Sequence, residues 1–406
     1  MDSILYKLRD KAAWQEYYEY KTGKGHLPER ERRELADFIE RRGYRHAAEN
    51  ITGCTPLSTP RKKLINKIGG KKRVVYSFGE EENRVLKLLA YLLYRYDGKL
   101  SPGCYSFRKG QSVQTAIHKI TGTPGISDMW AYKLDISNYF GSISVPKLLP
   151  ILQEIIADDP LLYGFFCTVL TADKALYEDK IINENRGVMA GTPISPFLAN
   201  VYLRELDSYF TGRGILYARY SDDIIVFAGT REEIYEYRDI LGDFLREYGL
   251  SVNTDKECVS PPGQPWEYLG AEYANGRMDL SRATRHKLKG KIRRKARSLY
   301  RWKLRKNASG EQAMRVMIRI FNRKFYERGN PHSLTWSRWF FPLVTEKDGF
   351  AEMDAYLQQY IRYIATGCHG KKNYKITYEQ LKALGYRSLV NEYYKFKKNY
   401  SDRTVI

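Results

Sequence analysis

Cysteine, acidic residues and long apolar runs are all scarce in this chain. Its 406 residues include five cysteines (Cys54, Cys104, Cys167, Cys258 and Cys368), odd in number and widely spaced. That pattern fits neither a disulfide framework nor a zinc site, and it points to a reducing compartment, the cytoplasm. The best apolar run, Val85 to Tyr94, is broken by Lys87 and falls short of the roughly 20 residues a membrane-spanning helix needs. The N-terminus shows no signal-peptide pattern, so neither export nor a membrane partner is expected. Asp and Glu number 47 against 68 Lys and Arg, a formal charge of +21. A polyanion, nucleic acid first, is the partner such an imbalance predicts.

In two stretches the acids vanish altogether. From Arg61 to Arg73 there are seven basic residues and no acid, with Gly69-Gly70 as a turn between two basic arms. Such a hairpin could lay its cations along a triphosphate or a nucleic-acid backbone. Between Ser281 and Lys306 there are 13 Lys and Arg, again with no acid, and Tyr300 and Trp302 are interleaved. A helix of that composition should track a phosphate backbone, with Arg282, Arg285, Lys289, Arg293, Arg294, Arg297 and Trp302 as its nucleic-acid contacts. These landmarks divide the chain into a helical N-terminal extension (1–60), a central region (61–280) and a basic helical C-terminal region (281–406).

The acids that matter sit in the central region. Tyr220-Ser221-Asp222-Asp223 lies between the apolar runs Ile215 to Ala218 and Ile224 to Phe227, a hairpin pattern with adjacent carboxylates at its tip. Ala131 to Ile136 reads as a strand that ends in Asp135. Two helices come next, at 146–157 and 160–172. The stretch from Arg186 to Ser195 reads as irregular, and Ser195 as N-cap with Pro196 then opens a helix whose apolar face runs through Phe210. After the hairpin come a helix from Arg231 to Tyr248 and strands at Leu250-Ser251-Val252 and Trp266 to Gly270.

The resulting order, strand, helix, strand, strand, helix, strand, is the split βαβ of an α+β domain. A right-handed crossover makes the first strand parallel to the second, with the third antiparallel between them. Asp135 therefore comes to the same sheet edge as Asp222 and Asp223, although 87 positions (222 − 135) separate it from the doublet. No neighbouring cation in the sequence is expected to neutralise the three acids. Two carboxylates about 4 Å apart repel by about 4 kcal/mol at an effective dielectric near 20, and a divalent cation reverses that sign. The cluster suits two Mg²⁺ ions about 3.5 to 4 Å apart, clamping the attacking and leaving oxygens of a phosphoryl transfer.

Taken in order, these motifs resemble those of reverse transcriptases over residues 61 to 275. Lys133-Leu134-Asp135-Ile136-Ser137-Asn138-Tyr139-Phe140 is similar to the family's first catalytic motif. The run Gly191-Thr192-Pro193-Ile194-Ser195-Pro196-Phe197-Leu198-Ala199-Asn200-Val201-Tyr202-Leu203 resembles its template-and-nucleotide motif, and Tyr220-Ser221-Asp222-Asp223 its Tyr-X-Asp-Asp box. Gly249-Leu250-Ser251-Val252-Asn253 with Lys256, and Tyr268-Leu269-Gly270, are similar to the family's next two motifs. The resemblance implies a right-hand polymerase with basic fingers, a ferredoxin-like palm and a helical thumb, making cDNA from an RNA template and dNTPs. Asp135, Asp222 and Asp223, with the Ile136 carbonyl, would hold the metal ions. Lys67 and Arg73 would meet the triphosphate, with Lys71 an alternative to Lys67. Phe140 would reject a ribose 2′-hydroxyl, Ala190 and Gly191 would line the nucleotide site, and Lys256 would lie near the departing pyrophosphate. Arg108, in Tyr105-Ser106-Phe107-Arg108, is similar to a Gly-Phe-Arg segment of intron-type enzymes and would face template or nucleotide, while Tyr220 would touch nucleic acid.

Many relatives have Gln where this chain has Ala190. Family members in diversity-generating retroelements also lack it, and there the loss goes with low fidelity, so altered nucleotide selection is expected. The retron segments Asn-Ala-X-X-His and Val-Thr-Gly are absent, and no His/Cys nuclease cluster comes after the thumb. The N-terminal helical extension resembles bacterial defence-associated enzymes of the unknown groups, whose second class copies a structured noncoding RNA. The alternatives are a maturase-like RNA chaperone and a protein-primed, template-independent DNA polymerase.

Overall fold

The computed structural model describes residues 2–23, 27–53, 55–66, 72–185, 187–326 and 335–401. The charged N-terminal segment folds as α1 (Lys11–Gly23), α2 (Glu29–Glu40) and α3 (Arg45–Thr52). Pro28 caps α2 and Glu29 and Glu31 fill its first turn, where the helix dipole favours acids. This segment shares one core with the central region. Trp14 stacks on Tyr44 at 4.9 Å, and the Ile4 amide donates to Asp159 Oδ2 at 2.8 Å, 155 residues away.

The basic arms form the antiparallel strands β1 (Arg61–Asn66) and β2 (Lys72–Ser77). Their Gly69-Gly70 turn, with Lys67 and Lys71, lies outside the described residues. Next come α4 (Glu80–Leu92), α5 (Val113–Thr121), the strand β3 (Trp130–Asp135), the short α6 (Tyr139–Ser142), α7 (Val145–Ile155) and α8 (Pro160–Thr171). Two strands not anticipated from the sequence, β4 (Lys174–Tyr177) and β5 (Lys180–Asn183), extend the basic hairpin into a sheet of order β2-β1-β4-β5. Their turn holds Glu178 at φ 48° and Asp179 at φ 60°, the left-handed pair of a type I′ turn built without the usual Asn-Gly.

The single helix expected to begin at Ser195 is two, α9 (Ser195–Tyr202) and α10 (Arg204–Gly212), broken at Leu203. Ser195 is also not the N-cap. It is the first helical residue, with Ile194 as cap, and its hydroxyl donates to the Val188 and Met189 carbonyls at 2.6 and 2.7 Å. Beyond α10 lie β6 (Tyr217–Tyr220), β7 (Asp223–Ala228), α11 (Arg231–Glu247) and β8 (Cys258–Ser260). The central sheet runs β6-β7-β3-β8, and β7 is antiparallel to both β6 and β3. That is the split βαβ arrangement. Its fourth strand is Cys258–Ser260 rather than Leu250 to Val252, which contributes only an isolated bridge between Val252 and Ile136. Gly249, at φ 72°, turns the chain out of α11 before it can join the ladder.

The compact units divide after Pro262, earlier than the 280/281 division drawn from the charge pattern. The second unit holds β9 (Trp266–Tyr268), β10 (Ala271–Ala274) and β11 (Arg277–Leu280) in an antiparallel sheet, together with α12 (Arg282–Lys306), α13 (Gly310–Tyr326), α14 (Trp336–Phe340), α15 (Asp348–Thr366), α16 (Tyr378–Ala383) and α17 (Leu389–Ser401). The sheet goes with these helices because its edge bonds to them: Met278 donates to Thr345 Oγ1 at 2.9 Å, and Asp279 accepts from the Gly349 amide at 3.0 Å. Among the described residues no helix is long and apolar enough to cross a membrane.

Candidate active site

The acidic tip is a two-residue turn. Tyr220 and Asp223 are cross-strand partners, leaving Ser221 and Asp222 between them, and the positive φ of 61° falls on Ser221 alone, the sign pattern of a type II′ hairpin turn. On the other side of β7, Asp223 is directly opposite Asp135. Residues so paired hold their Cβ atoms about 5 Å apart on one face. The Ile136 amide donates to the Asp222 carbonyl at 2.9 Å. Three acids from two distant segments thus meet at one sheet edge.

Two cations meet them there, against the expectation that none would be near. Lys133 Nζ lies 3.6 Å from Asp223 Oδ1, because positions 133 and 135 share a face of the same strand. Lys256 Nζ donates to Asp135 Oδ1 at 2.7 Å, so its partner here is the catalytic-motif acid. Asn253 completes this side: its amide donates to the Asp135 carbonyl at 2.7 Å and Nδ2 approaches Oδ2 at 3.4 Å. Burial, and then the Asp135 charge, push the Asp222 carboxyl above the usual carboxylate range. Asp223 is pushed up to about 6, chiefly by burial, with Asp135 and Asp222 adding to it and Lys133 opposing. Among the described residues no group of three or more His, Cys, Asp or Glu is already disposed around a metal position. The donor chemistry nonetheless fits one: hard carboxylate oxygens, of which those of Asp222 and Asp223 are pushed up in pKa by desolvation and neighbouring acids, are what a divalent cation relieves. Lys256, half exposed, is the group that would give way.

Behind the turn lies a buried polar network that sequence reasoning missed. Arg219 and Asp207 are fully buried, and the guanidinium donates to both Asp207 oxygens, at 2.7 Å from Nε and 2.6 Å from Nη2. It also reaches the Ser221 carbonyl at 3.2 Å. Tyr217 donates its hydroxyl to Asp207 at 2.9 Å; burial, with the Asp207 charge, holds that phenol well above its usual pKa, so it stays protonated. The Ser221 amide donates to Ser106 Oγ at 2.9 Å, and Ser106 donates to Asn200 Oδ1 at 3.0 Å. The only sequence signal was the period-two alternation of β6, which turns Arg219 the same way as Tyr217.

Near Phe140, residues 187–191 are bonded to two neighbours. The Val188 amide donates to the Phe140 carbonyl at 3.0 Å, and the Tyr76 amide to the Ala190 carbonyl at 2.8 Å. Gly187, at φ 53°, passes so close that a Cβ would collide with the Phe140 carbonyl oxygen, and a Cβ on Gly191, at φ 103°, would sit 3.0 Å from the Tyr76 carbonyl. Phe140 is thereby braced from its own backbone. Arg73 is exposed on β2, and its charge is felt at Asp222. Lys67 lies outside the described residues.

Arg108 does not face outward. It donates to the carbonyls of Asp97 at 2.7 Å, Ser101 at 2.6 Å and Cys104 at 2.9 Å, which makes it a brace for its own loop. Tyr220 is half-buried beside the turn. Of the cations on α12, Arg282, Arg293, Arg294 and Arg297 are exposed. Arg285 and Lys289 instead share Glu352 of α15 as an ion-pair partner, and Trp302 packs half-buried against the core of its unit. An acid more than 60 residues away thus neutralises part of a helix that has none of its own.

Residues 65–273, 209 of 406 positions, match the family model described as "Reverse transcriptase (RNA-dependent DNA polymerase)". The chain is 26% identical over 238 residues to the retron Ec86 reverse transcriptase of Escherichia coli, covering 56% of this chain and 67% of that one. It is 31% identical over 157 residues to an uncharacterized 91 kDa protein in a cob intron of Schizosaccharomyces pombe, 37% of this chain and 18% of that one. An apo telomerase of Candida tropicalis truncated of its C-terminal domain superposes with a TM-score of 0.46 at 13% identity, covering 56% of each chain. The chain thus spans 67% of the retron enzyme and a smaller share of the other two. With its ordered motifs matched over half its length, the chain belongs to the reverse transcriptase family of RNA-dependent DNA polymerases.

Proposed function

We propose that this protein copies RNA into DNA by two-metal nucleotidyl transfer at Asp135, Asp222 and Asp223. The observation that carries the reading is the strand register, which puts Asp135 opposite Asp223 with Asp222 in the adjoining turn. Two Mg²⁺ ions held by these carboxylates and the Ile136 carbonyl would activate the primer 3′-hydroxyl and neutralise the leaving pyrophosphate. The chain's own groups then have defined tasks. Arg73, whose charge already reaches Asp222, receives the triphosphate of the incoming dNTP. Lys256 exchanges Asp135 for the pyrophosphate. The new bond joins the 3′-oxygen to the α-phosphorus as the bridge to the β-phosphate breaks. Purified protein given an RNA template, a DNA primer, dNTPs and Mg²⁺ should extend the primer and stop when EDTA is added; a well-folded preparation that never incorporates a deoxynucleotide overturns the reading.

The finer reading is a bacterial antiphage enzyme that works in the cytoplasm on its own structured noncoding RNA. The charge of +21, the exposed arginines of α12 and the free thiols Cys104, Cys167, Cys258 and Cys368 support RNA as a standing partner in a reducing compartment. Sequencing of co-purified nucleic acid should return one dominant structured species, and a random sample of cellular RNA would count against it.

Nucleotide choice is assigned to Phe140 and Ala190. Replacing Phe140 with Ala should raise ribonucleotide use by roughly 10- to 100-fold, since one misfit group in a snug pocket is worth about 1–3 kcal/mol. Adding an amide with Ala190→Gln should change the error spectrum and the KM for dNTPs. Competition between dNTPs and rNTPs, with sequencing of the products, reads both, and two unchanged profiles would remove these residues from the nucleotide site.

A further inference from the structure

Ser106 and Arg108 turn inward, and Phe107 between them turns out. The Ser106 hydroxyl accepts from the Ser221 amide and donates to Asn200, and its carbonyl accepts from Asn200 Nδ2 at 2.7 Å. Arg108 is spent on three main-chain carbonyls of its own loop. One position before Ser106, the Tyr105 amide donates to the Arg219 carbonyl at 2.9 Å. Phe107, by contrast, is 45% exposed and holds a φ of 55°.

For a bulky aromatic residue that backbone is a genuine outlier, and glycine would adopt it without strain. Burial cannot be the reason for a phenylalanine here, because nearly half of it faces water. Strain of this kind persists where the surroundings over-determine it, and it clusters at sites that bind or react. The surroundings here are the same buried network that fixes the catalytic turn.

The ring's position says what it could meet. It lies 6.2 Å from the Tyr220 ring, tilted by 43°, at the residue that leads into Ser221-Asp222-Asp223. It also lines a cavity of about 140 Å³ shared with Tyr94, Leu100, Pro193 and Phe197, comparable with one of about 150 Å³ that admits benzene. Lys109, exposed two residues further on, supplies a cation suited to a phosphate. An exposed aromatic face, a second ring beside it and a nearby cation are the parts of a base-stacking platform.

We infer that Phe107, together with Tyr220, stacks on a base of the bound primer–template next to the reacting end, an inference that rests on the proposed polymerase activity. The strained backbone then serves to present the ring, and the Ser106 and Arg108 bonds hold it at a fixed distance from the metal-binding turn. Phe107 is a binding residue in this account and takes no part in the chemistry.

The test is the affinity of full-length protein for a fluorescently labelled RNA–DNA primer–template, read by anisotropy at one fixed salt concentration. Phe107→Ala and Phe107→Gly should weaken binding about tenfold, within the range that loss of one base–aromatic stack produces. Phe107→Tyr, which keeps the π-face, should bind like the wild type. The glycine variant relieves the backbone that the alanine variant leaves strained, so it stands in should the alanine variant fold poorly, and binding is compared only between variants whose thermal melting shows them folded at the assay temperature. Wild-type affinity in both the Ala and Gly variants, or a Tyr variant as weak as Ala, would overturn the platform. A wild-type protein that extends no primer would instead overturn the polymerase reading, and the binding comparison still decides the role of Phe107.

Discussion

Asp222→Asn should lower primer extension by at least about 10³-fold, corresponding to about 4 kcal/mol of lost transition-state stabilisation, and should leave the folded protein as stable as before or slightly more so. Both halves come from the same electrostatics. The carboxyl is held above its ordinary range by burial and by Asp135, so in the metal-free protein its charge opposes folding, and an amide of nearly equal shape removes that opposition. Once cations are needed to organise the reacting oxygens, the same change removes a hard anionic donor that no neighbour replaces. Single-nucleotide incorporation measures the first effect, and thermal melting without divalent ions the second. A variant that polymerised at even a tenth of the wild-type rate would show that Asp222 is no metal ligand.

The second large effect concerns a residue that touches neither metal nor substrate. Arg219→Met should cost the first unit about 3–5 kcal/mol, since it leaves the fully buried Asp207 charge without its partner. The Ser221 carbonyl would lose its guanidinium donor at the same stroke, so DNA synthesis should fall together with stability. Adding Asp207→Leu to Arg219→Met should restore a good part of the stability, because two apolar groups in place of a buried pair leave no orphaned charge. Recovery would be incomplete, as the Tyr217 hydroxyl would then lack its acceptor. The urea transition of the first unit measures the series. Equal stability of the single and double variants would mean that the buried charge was not the cause.

What could be read beforehand came from local periodicity. Asp135 could be matched with Asp222 and Asp223 because strand order in a split βαβ fixes which ends share an edge, and the register of Asp135 against Asp223 carries that inference through. Lys133 was within reach of the same reasoning: two residues before Asp135 on one strand, it had to share that residue's face, yet the three acids were expected without a cation. The pair β4 and β5 escaped because its turn is Glu178-Asp179, where the recognised hairpin signal is Asn-Gly. The partnership of Arg219 with Asp207 escaped for a different reason. An Arg and an Asp twelve residues apart look like two surface charges until the fold closes over both. Glu352 is a third kind of miss, since charge counting within α12 cannot see an acid supplied by α15.

The acidic turn and its partners are far apart in the chain. Ser221 is fastened by Ser106, 115 residues earlier, and Asp135 by Lys256, 121 residues later. A nascent polypeptide emerging from the ribosome can therefore shape its helices early, yet its acidic cluster lacks its full set of partners until synthesis has passed residue 256.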